Sequence, residues 1–256
     1  MTIRRLPLPT DTTAGGETNA YLVDGPASSF LVDPAARTDA LDAAVADRGV
    51  DHVVVTHTHP DHVGAVADYA AETGATVWAR RGREVRFEAA TGVAPDRTFV
   101  EGERVGALTV LDTPGHAPDH VAFETPEGIL AGDVVRASGS VAVSSPEGDM
   151  RAYLVALRRL LARDPSRLYP GHGPVVDGPE ATVRRLYAHR LDRERRIEAA
   201  VRAGAESIDA VLDAAYDRDL SGVRDLAAGT VRAHLDKLAV EGRVWIDPET
   251  GRVGPA

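Results

Sequence analysis

Three histidines and one aspartate fall within six residues at His57-Thr58-His59-Pro60-Asp61-His62. Imidazole and carboxylate together suit Zn²⁺ and related first-row metals. The cluster directly follows the apolar run Val53-Val54-Val55, so it falls where a buried strand ends and a helix begins. Four clustered polar groups at such a strand end would be costly to bury unpaired. Ligand-type residues recur in the same setting further along: Thr113-Pro114-Gly115-His116, Gly132-Asp133 and Tyr169-Pro170-Gly171-His172-Gly173 each follow an apolar segment. Each puts one His or Asp in a loop whose small residues let the backbone approach closely. Singly, such a residue is more often a plain turn residue. Four such segments converging on one sheet edge build a metal site. The chain has no cysteine, which excludes disulfides, thiolate catalysis and Cys-ligated zinc. Any metal must be held by His, Asp and Glu.

The elements that must position these residues alternate. Apolar runs at 21–23, 30–32, 53–56, 76–78, 109–111, 121–123 and 129–131 read as strands. Periodic stretches at 38–47, 63–73 and 150–161 read as helices. Intermixed strands and helices indicate a layered α/β domain. The pattern changes near Gly178-Pro179, which divides the chain into residues 1–178 and 179–256. Beyond it come helices at 180–202, 207–216 and 224–241, then a hairpin from 243–247 and 252–253 around the turn Pro248-Glu249-Thr250-Gly251. Helices followed by a two-stranded wing are similar to a winged-helix module.

In this order, the motifs HTHPDH, TPGH, GD and PGHG resemble the metallo-β-lactamase superfamily of metallohydrolases over about residues 1–178. The resemblance implies an αββα sandwich with two metal ions at one edge of its sheets. It implies His57, His59 and His116 as ligands of one metal, Asp61, His62 and His172 as ligands of the other, and Asp133 as the bridging carboxylate. All seven positions carry the expected residue type. Zinc is the implied cofactor, two ions per chain, with manganese or iron as alternatives. Two cations about 3.5–4 Å apart can share a hydroxide and lower its pKa toward neutrality, and that hydroxide is the implied nucleophile. Asp61 is then expected to be catalytic as well as a ligand, because it can accept a hydrogen bond from the nucleophile.

Three further side chains are candidates for a supporting role. His120, four residues after His116, could orient a ligand from behind. His189 and Arg190 open a charged run through Arg196 and are read either as a solvated helix face or as contacts for an anionic substrate.

The C-terminal part resembles the β-lactamase-like branch with a winged helix, which includes a single-strand endoribonuclease. The chain also resembles, more distantly, the hydroxyacylglutathione hydrolases. The expected activity is therefore hydrolysis of a small thioester or ester, with cleavage of single-stranded RNA as the alternative. For RNA, Arg184, Arg185, Arg190, Arg193, Arg195 and Arg196 would have to supply phosphate contacts, and stacking aromatics are scarce, Tyr153, Tyr169 and Tyr187 being the candidates. A third reading, of another class, is a nucleic-acid-binding or regulatory protein acting through the wing and the helix carrying Arg224, Arg232, His234 and Lys237.

Composition bounds these readings. The formal net charge is −10, which argues mildly against long-range attraction to nucleic acid or anionic membrane. Lys237 is the only lysine, and such an acid-rich, lysine-poor chain suits a high-salt cytoplasm, a bias that a GC-rich genome also gives. No apolar run approaches the roughly 20 residues of a membrane span. No apolar stretch follows the N-terminal arginines as a signal peptide would require. A cytoplasmic protein without a membrane partner is the expectation, and a homodimer is compatible with the fold.

Overall fold

The computed structural model describes residues 1–11, 16–217 and 219–256. The reading of the N-terminal segment rests partly on residues 12–15, which lie outside the described residues.

Six strands form the first sheet in chain order: β1 (Thr2–Pro9), β2 (Glu17–Asp24), β3 (Ser29–Val32), β4 (His52–Val54), β5 (Thr76–Arg80) and β6 (Arg97–Phe99). The first three pair antiparallel, and β3 to β6 pair parallel. The second sheet has the order β11-β10-β9-β8-β7, made of β7 (Arg104–Val105), β8 (Leu108–Asp112), β9 (Val121–Thr125), β10 (Gly128–Gly132) and β11 (Leu168–Pro170). Only its β10–β11 pair is parallel.

Side-chain alternation stacks the layers. In β2, Tyr21 and Val23 join Val54, Phe99, Val110 and Phe123 in the core between the two sheets. Their neighbours Ala20 and Leu22 face the other way, into a core roofed by α1 (Asp39–Arg48), α3 (Val66–Thr73) and α4 (Glu84–Thr91). On the far side of the second sheet, α5 (Met150–Arg163) and the start of α6 (Pro179–Arg202) cover Leu111, Ala122 and Ile129. The result is four layers, αββα, with two mixed sheets inside. Parallel strands covered on both faces explain why β4 is a continuous valine run rather than an alternating one.

Two local features differ from the sequence pattern. Strand β1 is absent from that pattern, because Pro7 and Pro9 interrupt it; it is an edge strand, where missing N–H donors are tolerated. The stretch 63–73 is not one helix but α2 (Pro60–Val63) followed by α3. The break falls at Gly64 and Ala65, where Ala65 N–H donates to Pro34 O at 2.9 Å and a Cβ on Gly64 would collide with Ala35 O. The residues after β3 thus wedge under the turn that carries the histidine cluster.

The last helices are α6, α7 (Ile208–Ala215) and α8 (Arg224–Val240), followed by the antiparallel hairpin of β12 (Val244–Ile246) and β13 (Val253–Pro255). They enclose their own core of Ile197, Val201, Leu212, Val231, Leu235, Leu238, Val244 and Val253. Helix α6 starts just after Gly178, yet its Val183 and Leu186 pack under α5. The change from one core to the other therefore falls inside α6. Among the described residues, no helix is long and apolar enough to cross a membrane.

Candidate metal centre

The four ligand-bearing segments meet at one edge of the two sheets. The cluster from His57 to His62 leaves β4 and enters α2, His116 lies between β8 and β9, Asp133 follows β10, and His172 follows β11. Three groups of ligand atoms result: His57, His59 and His116; Asp61, His62 and His172; and His57, His62 and Asp133, each with its atoms within 4.8 Å of one another. Asp133 lies between them, with Oδ2 3.6 Å from His116 Nε2 and 3.2 Å from His172 Nε2, and Oδ1 3.6 Å from His62 Nε2.

Outward hydrogen bonds fix which nitrogen of each histidine faces inward. His57 Nδ1 lies 3.1 Å from Thr56 Oγ1, whose own proton goes to Asp33. His62 Nδ1 faces Asp33 Oδ2 at 3.0 Å, His116 Nδ1 faces Ala142 O at 2.6 Å, and His172 Nδ1 faces Glu17 O at 2.8 Å. His59 is turned the other way, with Nε2 3.1 Å from Glu147 Oε2. An oxygen acceptor behind each ring holds its N–H outward and leaves a lone pair pointing in. His59 Nδ1 then lies 3.0 Å from His57 Nε2 and 2.8 Å from His116 Nε2. Three lone pairs that close repel unless a cation lies among them.

Two more observations fit metal ions. His62 Nε2 and Asp133 Oδ1 are buried and without a hydrogen-bond partner, as a pair of ligand atoms would be. Gly171 has no side chain where one would strike them: an added Cβ would lie 2.7 Å from His62 Cε1 and closer still to Asp133 Oδ1. The set is nitrogen and oxygen only, which suits zinc, manganese or iron.

The electrostatics divide the cluster. Burial pushes the pKa of His57 well below its ordinary value, aided by its histidine neighbours. Burial also opposes charge on His62 and His172, but carboxylates outweigh it. Asp33 raises His62, and hydrogen bonds to Asp133 and Asp61 push His172 up to about 10. Asp133 is held far below the usual carboxylate range despite its burial, chiefly by His172, His62 and His116. Asp61 is lowered in the same way by His172 and His62. Burial thus disfavours charge on His57 and His116, whereas the ionised Asp61 and Asp133 favour positive charge at His62 and His172.

His120 sits directly behind the candidate ligands. Its Nε2 accepts the backbone N–H of Asp133 at 3.0 Å and its Nδ1 faces Thr113 Oγ1 at 2.9 Å. Burial drives its pKa well below the ordinary value, so the ring is neutral. His189 and Arg190 part company. His189 lies on the exposed side of α6 and, among the described residues, makes no hydrogen bond to the ligand set. Arg190 is only 3% exposed. Its guanidinium donates to Val141 O and lies over the Tyr153 ring, so it does not reach a substrate as one reading of the sequence expected.

Sequence reasoning missed Asp33, the hub of the buried network. It accepts from Thr56 N–H at 2.6 Å, Thr56 Oγ1 at 2.7 Å and His62. Asp33 follows the apolar run of β3 just as the candidate ligands follow theirs, and that signal could have found it. Arg86 and Glu147 were missed too. Arg86 grips Glu147 with two bonds of 2.8 and 2.9 Å, donates to Thr58 Oγ1 and lies 3.2 Å from Asp119. The Arg86 guanidinium and the bond from His59 hold Glu147 at about 2, against burial.

Beside His59 lies an open depression of about 380 Å³, floored by Pro60, Ala89 and Ala90 and flanked by Arg86 and Glu147. The arginines of α6 are engaged elsewhere. Arg184 pairs with Glu180, Arg185 donates to the carbonyls of Arg136, Ala137 and Gly139, and Arg193 lies over Tyr216. Arg195 and Arg196 pair with Asp192. On α8, Arg224 pairs with Asp209 and Asp213, Arg232 with Asp236, and Lys237 with Glu194 and Glu241, while His234 is buried.

Residues 13–172 match the metallo-beta-lactamase superfamily. The chain is 30% identical to the beta-lactamase-like protein 2 homolog of Drosophila melanogaster over 256 aligned residues, covering 90% of this chain and 84% of that protein. It is 32% identical to a hydroxyacylglutathione hydrolase of Acidiphilium cryptum over 219 aligned residues, covering 82% of this chain and 81% of the relative. A metallo-beta-lactamase family protein of Thermus thermophilus shares the fold with a TM-score of 0.79 at 24% identity, covering 99% of this chain and 98% of that one.

Proposed function

Because this chain belongs to the metallo-β-lactamase superfamily, we propose that it is a dinuclear metallohydrolase acting on a small thioester or ester. His57, His59 and His116 hold one metal in this reading, Asp61, His62 and His172 the other, and Asp133 both. The two cations, zinc by preference, supply Lewis acidity, acidifying water and polarising the scissile carbonyl.

The protein's own groups do the rest. Asp33 and the carbonyls of Glu17 and Ala142 hold their histidines in one tautomer, so that no reorganisation is needed on binding. Asp61 is ionised and only part-buried, unlike Asp133. It is the carboxylate to which this reading assigns the proton of the attacking water. His120 is neutral and fixes the backbone of Asp133.

One observation carries the choice of substrate: the arginines that a nuclease would turn toward phosphates are bound to the protein's own carboxylates and carbonyls. What adjoins His59 is a small, mainly apolar depression whose one cation, Arg86, is already paired with Glu147. Such a surface suits an acyl chain better than a polyanion. The likeness to a hydroxyacylglutathione hydrolase supports the same reading. The C-terminal helices and hairpin are a winged-helix-like unit in this account, used for packing rather than for binding nucleic acid, since the cations of α8 are internally paired. The test is a side-by-side assay of S-lactoylglutathione-type thioesters and a labelled single-stranded RNA. Thioester cleavage lost in His59→Ala is the expected result. RNA cleavage lost in that variant, without thioesterase activity, would reverse the assignment.

A further inference from the structure

Residues 136–149, between β10 and α5, lie between the metal cluster and the C-terminal helices and are bonded to both. On one side, Ala142 O accepts from His116 Nδ1 at 2.6 Å and Glu147 accepts from His59 Nε2 at 3.1 Å. On the other, Arg185 of α6 donates to the carbonyls of Arg136, Ala137 and Gly139 at 2.7–3.2 Å. Arg190 of α6, 3% exposed, donates to Val141 O, the carbonyl next to the one that holds His116. Ser145 N–H donates to Gly229 O of α8 at 3.1 Å, and Ser145 Oγ reaches Asp236 at 3.3 Å. Gly229 lies so close that a Cβ there would overlap the Ser144 side chain.

The two halves of the cluster are supported differently. His62 and His172 rest on Asp33, at the end of β3, and on Glu17 O of β2. Neither is bonded to residues 136–149. Among the described residues, His59 and His116 have no outer acceptor from the first sheet; theirs are Glu147 and Ala142 O of that segment.

We propose that Arg190, Arg185 and Glu147 are positioning residues, and that through residues 136–149 the C-terminal helices set the orientation of His59 and His116. They thereby set the affinity of the metal position these two share with His57, and not that of the position held by Asp61, His62 and His172. A partner or ligand that moved the C-terminal helices would then tune one metal site alone. This inference rests on the two-metal reading of the cluster.

The experiment is titration of the metal-stripped full-length chain with Zn²⁺ against a chromophoric chelator, which counts equivalents and ranks their affinities without reference to catalysis. Wild type should take up two equivalents. Arg190→Met and Glu147→Gln should each weaken one equivalent by roughly 10- to 100-fold, the range typical of lost outer-sphere support, and leave the other within about twofold. Arg185→Gln should weaken the same equivalent less, and Arg190→Lys should restore part of the loss. Should Arg190→Met not fold, Glu147→Gln and the surface variant Arg185→Gln decide. A matching loss of both equivalents in Arg190→Met and Glu147→Gln, or no loss in these variants, overturns the proposal. Uptake of fewer than two equivalents by wild type overturns the two-metal reading itself, a distinct outcome visible before any variant is made.

Discussion

Asp33 Oδ2 lies 3.0 Å from His62 Nδ1 in the buried floor of the metal cluster, with the Asp33 side chain 1% exposed. The same carboxylate takes two hydrogen bonds from Thr56, whose hydroxyl in turn meets His57. One residue therefore orients a histidine in each half of the site. Asp33→Asn, which puts an N–H₂ group among these donors, should weaken metal binding by roughly 10- to 100-fold. Chelator competition on the purified variant measures this. An unchanged affinity would mean that the histidines keep their orientation without Asp33.

Gly171→Ala is a steric test of the same floor. The added methyl would press on His62 and Asp133, both buried ligand candidates. Overpacking of this kind costs about 1–3 kcal/mol where neighbours cannot yield. We expect a variant that still folds, melts somewhat lower and has lost most of its metal and its activity. Metal content and a thermal melt on one preparation separate the two effects, and full metal content in Gly171→Ala would refute the placement.

His120→Ala removes the acceptor of the Asp133 N–H. A buried donor left unsatisfied costs about 1–3 kcal/mol. His120→Gln offers an oxygen in its place and should lose less, both in unfolding free energy and in kcat. Equal losses in the two variants would show that ring packing, not the hydrogen bond, is what His120 contributes.

A pH dependence follows from Glu194, 5% exposed and bonded to Lys237 and Arg243. Burial alone would raise its pKa, but the neighbouring His234, 3.7 Å away, and the hydrogen-bonded Lys237 ammonium win and hold it at about 2, below the ordinary 4.5. The folded state resists protonation that the unfolded chain accepts. The stabilisation is therefore complete above about 4.5 and is lost as pH falls toward about 2. Urea unfolding of wild type and Glu194→Gln should differ by on the order of 3 kcal/mol near neutral pH, as for a broken buried ion pair. The gap should close between pH 4.5 and pH 2. A gap independent of pH would remove the electrostatic explanation.

Much of this architecture was legible in the residues. The HTHPDH cluster and the three glycine-flanked motifs stand out because ligand chemistry and strand ends coincide, and the structure gathers all seven side chains at one edge. The layered α/β class followed from alternation of apolar runs with helical periods. What escaped has physical causes. Strand β1 hides behind its prolines, which an edge position tolerates. Asp33 carries the strand-end signal but no histidine beside it. Arg86 and Glu147 belong to distant segments of the chain, and no local pattern announces a bond between them. Arg190 looked like a surface cation in a charged run, but helix α6 turns it inward against Tyr153 and Val141.

Stepwise addition of Zn²⁺ to the metal-stripped chain, with hydrolysis of a lactoyl thioester followed at each step, decides whether this is a two-metal thioesterase. Hydrolysis should be absent without metal, rise until two equivalents are bound, and be absent at any loading in His59→Ala. Hydrolysis that needs no metal, or a fully loaded protein that leaves the thioester intact while cutting single-stranded RNA, would contradict that assignment.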